Sequence, residues 1–464
     1  MPQSGTLQVA IVGSGPSGFY AAEALLRAKP GAAVDMFDRL PTPFGLVRGG
    51  VAPDHPKIKQ VILVYDKIAR SPGFSFIGNV TVGRDIAVAD LQAAYHVVIF
   101  ANGADADRRL GIQGEDLRGS HTATEFVGWY NGHPDYRDRV FDLSGETAAV
   151  IGQGNVAADV ARILATPVDD LRRTDIAEHA LEVLAESRVR EIHIIGRRGP
   201  AQAKFTSVEL KELGKIRGCA VSIAAGDLEL NGACQAELAD PRGDENRKNV
   251  DVLRGFAGIP AGAGGRRLCF RFLATPLRFS GPGRVETITL ARNRLQGEPF
   301  RQVAIAASET VELPCQLVFR SIGYKGTPLP GIVFHEGTGT VPNRKGRVLD
   351  REAPVPGLYV TGWIKRGPTG IIGTNRADSV ETVAAIVEDL AGLDLSPRPG
   401  SAGLLPALQA RGLRPVSYAG WQAIDLVERA RGEPKGKPRE KFTRIPDMLQ
   451  TIDGGRSTGP SALE

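Results

Sequence analysis

Two short apolar runs, Leu7 to Val12 and Thr147 to Ile151, are each followed by a glycine loop and then by a stretch with helical apolar periodicity. Strand, glycine turn and amphipathic helix in that order predict a parallel α/β architecture. Ala33 to Phe37 reads as a second strand of a first unit, and Val97 to Phe100 (VVIF) as a buried parallel strand of the same unit. Glu191 to Ile195 and Gln316 to Phe319 read as strands of a second. Near Leu358 to Gly362 a last strand reads as returning to the first unit, before a helix from Asp378 to Leu390. Val168 to Arg188 reads as an inserted polar loop and helix. The segment Cys219 to Leu290 is broken by Gly and Pro. Its alternating stretches, Leu268 to Leu273 and Val285 to Leu290, predict a small antiparallel excursion. The expected fold is α/β, with two Rossmann-like, doubly wound nucleotide-binding domains. The first, residues 1–105 and 327–464, is interrupted by the second, residues 106–326.

The loops themselves, Gly13-Ser14-Gly15-Pro16-Ser17-Gly18 and Gly152-Gln153-Gly154-Asn155-Val156-Ala157, state the chemistry. Glycines there allow a tight turn and bring backbone N–H groups to a pyrophosphate at a helix N-terminus. After the first loop the next strand ends in Asp38, where an acid accepts hydrogen bonds from a ribose 2′-OH. After the second, the corresponding strand ends in Gly196-Arg197-Arg198. Two guanidiniums replace the acid where a 2′-phosphate would sit, so the second nucleotide reads as NADP(H) rather than NAD(H). The first is then most economically FAD. Two dinucleotides in one chain imply electron transfer between them.

With 464 residues there is room for two or three well-buried domains, and 42% hydrophobic content excludes a disordered or fibrous class. No apolar run approaches a membrane span, and the chain reaches its first strand within six residues. A cytoplasmic protein without stable membrane insertion is expected. Cys219, Cys234, Cys269 and Cys315 form no CxxC, and the seven histidines form no HxxxH or HxH, so no dithiol, iron–sulfur cluster or metal site is expected. The net charge of +5 hints at an acidic partner, but no nucleic-acid motif is present. The densest basic run, Arg429 to Arg444, reads as a solvated surface tail broken by Pro and Gly.

Longer motifs narrow the reading. VGSGPSGFY (Val12 to Tyr20), PFGLVRGGVAPDHP (Pro43 to Pro56), GQGNVAADVARIL (Gly152 to Leu164), GRRGPAQAKFT (Gly196 to Thr206) with ELKEL (Glu209 to Leu213), and TGWIKRGPTGIIGTN (Thr361 to Asn375) are distributed along the chain. In these the chain resembles the adrenodoxin reductase family of ferredoxin–NADP reductases, in its bacterial form. The resemblance implies FAD contacts at Ser17, Asp38, Leu46, Val82, Trp363, Gly370, Ile371 and Ile372. It implies NADP contacts at Gln153, Gly154, Asn155, Val156, Arg197, Arg198, Glu209 and Gly370, with His55 and Glu212 near the nicotinamide. Ser17 stands where the family usually has Ala, and Lys204 where a small residue is common. Read from the residues alone, Trp363 suits either a flavin wall or a plain core, and His55 either an active site or a cap on the turn Pro53 to Pro56.

The implied activity moves electrons from NADPH as a hydride to flavin N5, then singly to an acidic ferredoxin-type iron–sulfur protein. A flavin disulfide reductase, a glutamate-synthase-like reductase module and a non-catalytic NADPH-sensing flavoprotein are the alternatives. The missing CxxC counts against the first two. Arg242, Arg247 and Lys248, with Lys211 and Lys215 four apart on a helix, supply a candidate docking patch.

Overall fold

The computed structural model describes residues 6–257 and 265–456. Part of the expected antiparallel excursion, residues 258–264, and the end of the expected first domain, residues 457–464, lie outside the described residues. The first sheet has seven strands. Five are parallel, in the spatial order Ala353–Val360, Val97–Phe100, Gln8–Val12, Ala33–Phe37, Phe74–Ile77. The hairpin strands Asn343–Arg344 and Arg347–Asp350 extend one edge in antiparallel fashion. Successive side chains of a strand point to opposite faces, and here both faces are buried. Val9, Ile11, Val34, Met36, Val97 and Ile99 pack beneath helices Pro16–Ala28 and Ile372–Asp389. Ala10, Val12, Phe37, Val98, Phe100 and Val360 fill the other side. That two-sided burial is why these strands read as continuous apolar runs.

The second sheet is six parallel strands, ordered Ser120–Thr122, Leu317–Arg320, Thr147–Ile151, Glu191–Ile195, Arg266–Arg271, Cys219–Ile223. One face lies under helices Ala123–Tyr130 and Asn155–Ala165. The other is covered by a three-stranded antiparallel sheet, Ala274–Ser280, Thr287–Gln296 and Val303–Pro314, whose Phe279, Ile288 and Leu290 meet Ala149, Ile151, Ile195 and Val318.

Four sequence expectations need correction. Leu268 to Leu273 is not part of the antiparallel excursion. It falls largely in Arg266–Arg271, where Leu268 is in parallel register with both Ile192 and Val221. Alternation reports which face is covered, not the direction of the partner strand. The antiparallel excursion begins only at Ala274. The helix expected from Asp378 starts at Ile372, because Gly373, Thr374 and Asn375 are weak helix formers that hide its first turn. Val168 to Arg188 forms two short helices, Val168–Leu171 and Glu178–Ala185, with Asp175 buried between them.

The basic run is the fourth. Lys437, Glu440 and Lys441 are 6%, 4% and 3% exposed, so this segment is not a solvated tail. Lys441 Nζ donates to the carbonyls of Arg48 and Asn131, both at 3.2 Å, and lies 3.1 Å from Asp175. Lys59 Nζ shares the same Asp175 at 2.6 Å. The C-terminal segment is thereby clasped between the first unit (Arg48, Lys59) and the second (Asn131, Asp175). Among the described residues no helix is long and apolar enough to cross a membrane.

Candidate active site

Each glycine loop closes its strand and opens its helix, and the elements around it differ. In the first loop, Gly13 adopts φ +108°, and a Cβ there would lie 2.5 Å from the Ala101 carbonyl oxygen. Only glycine fits. At Gly15 a Cβ would meet nothing within 4 Å, so this side of the turn is open. Asp38 Oδ2 accepts from Ser14 N at 3.0 Å and Ser14 Oγ at 2.5 Å, and Oδ1 accepts from Leu40 N at 3.0 Å. The acid is anchored beside the loop, with lone pairs of Oδ1 to spare. The Ser17 hydroxyl donates to Asn375 Oδ1 at 3.0 Å, and Ser379 Oγ donates to the Ser17 carbonyl at 2.9 Å. Both tie the loop's helix to Ile372–Asp389. Phe44 N donates to the Ser14 carbonyl at 3.0 Å and brings Leu46 alongside.

Leu46, at the start of the short helix Leu46–Gly49, and Ile371, capping helix Ile372–Asp389, are large apolar side chains left 48% and 65% exposed. Ile372 begins the helix whose N-terminus follows the left-handed Gly370. Val82 is buried with Ile77 and Val80, so its side chain belongs to the core. Trp363 lies nearly parallel to Tyr324, ring centroids 5.9 Å apart, and its buried Nε1–H has no protein acceptor. A buried indole N–H without a partner fits a bound heteroaromatic group better than a plain core.

In the second loop the Gln153 side chain lies over Gly196, where a Cβ would approach Gln153 Cδ to 1.8 Å. Gln153 Nε2 is buried without a protein partner, and the space at Gly154 is open. Asn155 Oδ1 accepts from Thr206 N at 2.8 Å, and Lys204 N donates to the Gln153 carbonyl at 2.7 Å, fixing the chain beside the loop. Val156 packs against the second unit's core. Arg197 is exposed and Arg198 half-buried. Neither has a carboxylate partner among the described residues.

The two units meet at a polar seam. His55 Nε2 lies 2.7 Å from Glu212 Oε2 and 3.5 Å from Glu209 Oε2. His55 makes no capping hydrogen bond to its own turn; its ring reaches across to the other unit. Glu209 and Glu212 share one face of helix Ser207–Leu213, three residues apart, and Thr206 Oγ1 accepts from Glu209 N at the helix start. Behind them Arg162 donates to Asp54 (2.6 and 3.0 Å), Asp159 (2.7 Å) and Glu209 (3.3 Å). Burial pushes the Glu209 carboxyl up to about 7, and neighbouring Asp159 adds to the rise. Against the opposing effect of burial, Arg162 holds Asp54 below the ordinary carboxylate range. Asp54, Asp159 and Arg162 were not singled out from the sequence. The available signal was an Asp and an Arg three apart within the otherwise apolar helix Asn155–Ala165.

One other cluster, Glu191, His193 and Cys269, has spacing suited to a metal. Arg271 Nε donates to His193 Nδ1 at 2.9 Å, so Nε2 carries the proton and faces Glu191 at 2.9 Å. That leaves no ring lone pair for an ion.

Two dinucleotide-type loops on two parallel sheets, with a His–Glu seam between them, define a flavin- and pyridine-nucleotide-dependent oxidoreductase of the two-Rossmann-domain class. Residues 11–67 match the NAD(P)-binding Rossmann-like domain family. The chain is 48% identical over 457 residues to NADPH-ferredoxin reductase FprA of Mycobacterium leprae (strain TN), spanning 96% of this chain and 98% of that protein. It is 44% identical over 463 residues to the mitochondrial NADPH:adrenodoxin oxidoreductase of Homo sapiens, spanning 97% and 93%. Its structure matches that of Mycobacterium tuberculosis FprA in complex with NADPH with a TM-score of 0.91 at 46% identity, over 97% of this chain and 100% of that one. The chain belongs to the NADPH-ferredoxin reductase family, which includes the adrenodoxin reductases.

Proposed function

We propose that this chain is an NADPH-ferredoxin reductase that holds FAD at the first loop and NADPH at the second, and delivers electrons to a ferredoxin-type iron–sulfur protein. The observation that supports it most is the pair of differently finished loops joined by the His55–Glu212 contact at 2.7 Å. FAD, when bound, supplies the capacity to accept a hydride and release its two electrons one at a time.

The chain's own groups do the rest. Backbone N–H groups at the start of helix Pro16–Ala28 hold a pyrophosphate, and Asp38 faces a ribose. Trp363 and Tyr324 form an aromatic wall, Trp363 offering its unpaired N–H. The N-terminus of helix Ile372–Asp389 favours negative charge on a reduced ring system. Gln153 offers its unpaired Nε2 to the second pyrophosphate, and Arg197 and Arg198 offer charge-assisted donors to a 2′-phosphate. His55 and Glu212 orient the nicotinamide; hydride transfer needs that proximity rather than a nucleophile. Residues 1–105 and 327–464 form the FAD domain and 106–326 the NADP domain. The site of action is the cytoplasm.

The partner is acidic. Arg242, Arg247 and Lys248 are each paired with a neighbouring acid, Asp240, Asp244 and Glu245, which weakens that part of the patch. Helix Ser207–Leu213 ends before Lys215, so the two lysines do not share a helix face as expected, but both are exposed without an ion-pair partner among the described residues and bear most of the docking charge. Complementary charge accelerates encounter and is screened over a Debye length of about 8 Å at physiological salt. Lys211→Glu with Lys215→Glu raises KM for ferredoxin, and added NaCl depresses ferredoxin turnover far more than ferricyanide reduction. Indifference to both moves the docking face elsewhere.

Purified protein is yellow, bleaches under NADPH without air, and reduces cytochrome c only when ferredoxin is added. Bleaching by NADPH with no ferredoxin-dependent turnover would overturn the assignment.

A further inference from the structure

The seam holds more carboxyl groups than cations to balance them. Asp54, Asp159, Glu209 and Glu212 face one guanidinium, Arg162, and one imidazole, His55. Their partners come from three elements. Asp54 and His55 lie on a loop of the first unit, Asp159 and Arg162 on helix Asn155–Ala165, and Glu212 on Glu209's own helix. Arg162 is not shared evenly. Asp54 takes two of its N–H groups at 2.6 and 3.0 Å and Asp159 accepts at 2.7 Å, while Glu209 has a single contact at 3.3 Å. Glu209 therefore has the weakest hold on Arg162 of these acids, although burial raises the Asp159 carboxyl as well. Carboxylates crowded in a buried site cannot all ionise, and the proton settles where compensation is weakest. The Glu209 carboxyl, pushed up to about 7 by burial and by Asp159, is poised to take up or release a proton near neutrality.

We infer that Glu209 is the proton-holding residue of the proposed reaction, taking up the proton left behind when a hydride is passed on as two single electrons and releasing it to water through His55 and Glu212. This rests on the function proposed above. In that reaction NADPH gives up a hydride and becomes NADP⁺. Two electrons leave for two one-electron iron–sulfur carriers, and one proton remains. That proton forms an O–H bond on Glu209. His55 Nε2, 3.5 Å from Glu209 and 2.7 Å from Glu212, links the buried holder to its outlet. The Glu212 side chain is 37% exposed, whereas that of Glu209 is 10% exposed. The i, i+3 spacing on helix Ser207–Leu213 puts holder and outlet on one face. Run backwards, the same path supplies the proton for NADP⁺ reduction.

The test compares wild-type holoenzyme with Glu209→Gln and Glu209→Asp. Difference infrared spectra of the wild type, titrated through neutrality, show the carbonyl stretch of a neutral carboxylic acid that disappears as pH rises. Glu209→Gln lacks that band, and Glu209→Asp keeps a shifted one. In ferredoxin-dependent turnover Glu209→Gln loses about a hundredfold or more in kcat and flattens the pH profile near neutrality, and Glu209→Asp restores part of both. A titrating band that survives in Glu209→Gln places the proton on another acid, such as Asp159, and overturns the inference. So does a raised KM for NADPH with kcat and pH profile unchanged, which would make Glu209 a coenzyme contact alone. If wild-type flavin fails to bleach with NADPH, the parent reading fails, and the infrared titration still decides where the proton is held.

Discussion

The two glycine loops have nearly the same turn but different surroundings. Around the first, elements from distant parts of the chain close in. Asp38 is tied to Ser14, Phe44 N meets the Ser14 carbonyl, and Ser17 is bonded to Asn375 and Ser379. Around the second, Ser321 closes on Gly152 as Ala101 closes on Gly13, Lys204 to Thr206 runs alongside, and Arg197 and Arg198 stand without ion-pair partners among the described residues. The turns themselves are equally tight, and the additional side-chain ties around the first suit a nucleotide that stays through many turnovers, while their scarcity around the second suits one that must leave after each. Retention is set by what encloses the turn more than by the turn itself.

Exchanging single residues between these settings sharpens the contrast. Gly13→Ala forces a side chain onto φ +108° and against the Ala101 carbonyl, and is expected to yield protein largely without flavin, read from its absorbance. The matching Gly152→Ala, at φ +149° with its Cβ 2.1 Å from the Ser321 carbonyl oxygen, should keep full flavin while weakening NADPH binding. Equal flavin content in both variants would break the comparison. Next in size, Arg197→Ala with Arg198→Ala removes charge-assisted hydrogen bonds to the 2′-phosphate; a net loss of roughly 1.5–3 kcal/mol lowers kcat/KM for NADPH about tenfold to a hundredfold more than for NADH. Equal losses with both coenzymes would refute the 2′-phosphate role. At the seam, His55→Gln should slow anaerobic reduction by NADPH about tenfold in stopped flow with flavin retained; an unchanged rate would leave His55 a turn residue.

The smallest effect is on stability. Glu209 is raised from 4.5 to about 7 in the folded chain, so the fold binds a proton more readily than the unfolded chain does. Its contribution is full below about 4.5 and is lost as pH rises through about 7. The Tm of Glu209→Gln should therefore gain on wild type across that window. A constant gap would show that the folded carboxyl titrates normally.

Most of the framework was legible because parallel strands buried on both faces write continuous apolar runs, and a nucleotide turn demands glycine at fixed offsets. Legibility failed where structure depends on partners remote in sequence. The alternation at Leu268 to Leu273 revealed one covered face and nothing of the parallel neighbours. Lys441 reads as solvated because charge composition reports no distant acid, and its partner Asp175 lies far upstream, as does Glu178 beside Lys437. In the seam, His55 and Glu212 were reached through family motifs. The Arg162 network escaped because its members come from three separate elements. The Ser17 hydroxyl donates to Asn375, a partner 358 residues away that the glycine loop alone does not announce.

The interrupted first sheet also orders events during synthesis. Its strand Val97–Phe100 needs Ala353–Val360 as a neighbour, and the whole second sheet is encoded between them. Until that strand leaves the ribosome, one edge of the first sheet has no partner, and Tyr359, Val383 and Ile386 are missing from its core. At roughly 5–20 residues per second, the delay is on the order of ten to fifty seconds. The second sheet, whose strands run from Ser120 to Arg320 without interruption by the first, can close meanwhile. The nascent chain is thus most exposed to edge-to-edge association in its earliest-made part, and chaperone dependence should map to the first hundred residues rather than the last.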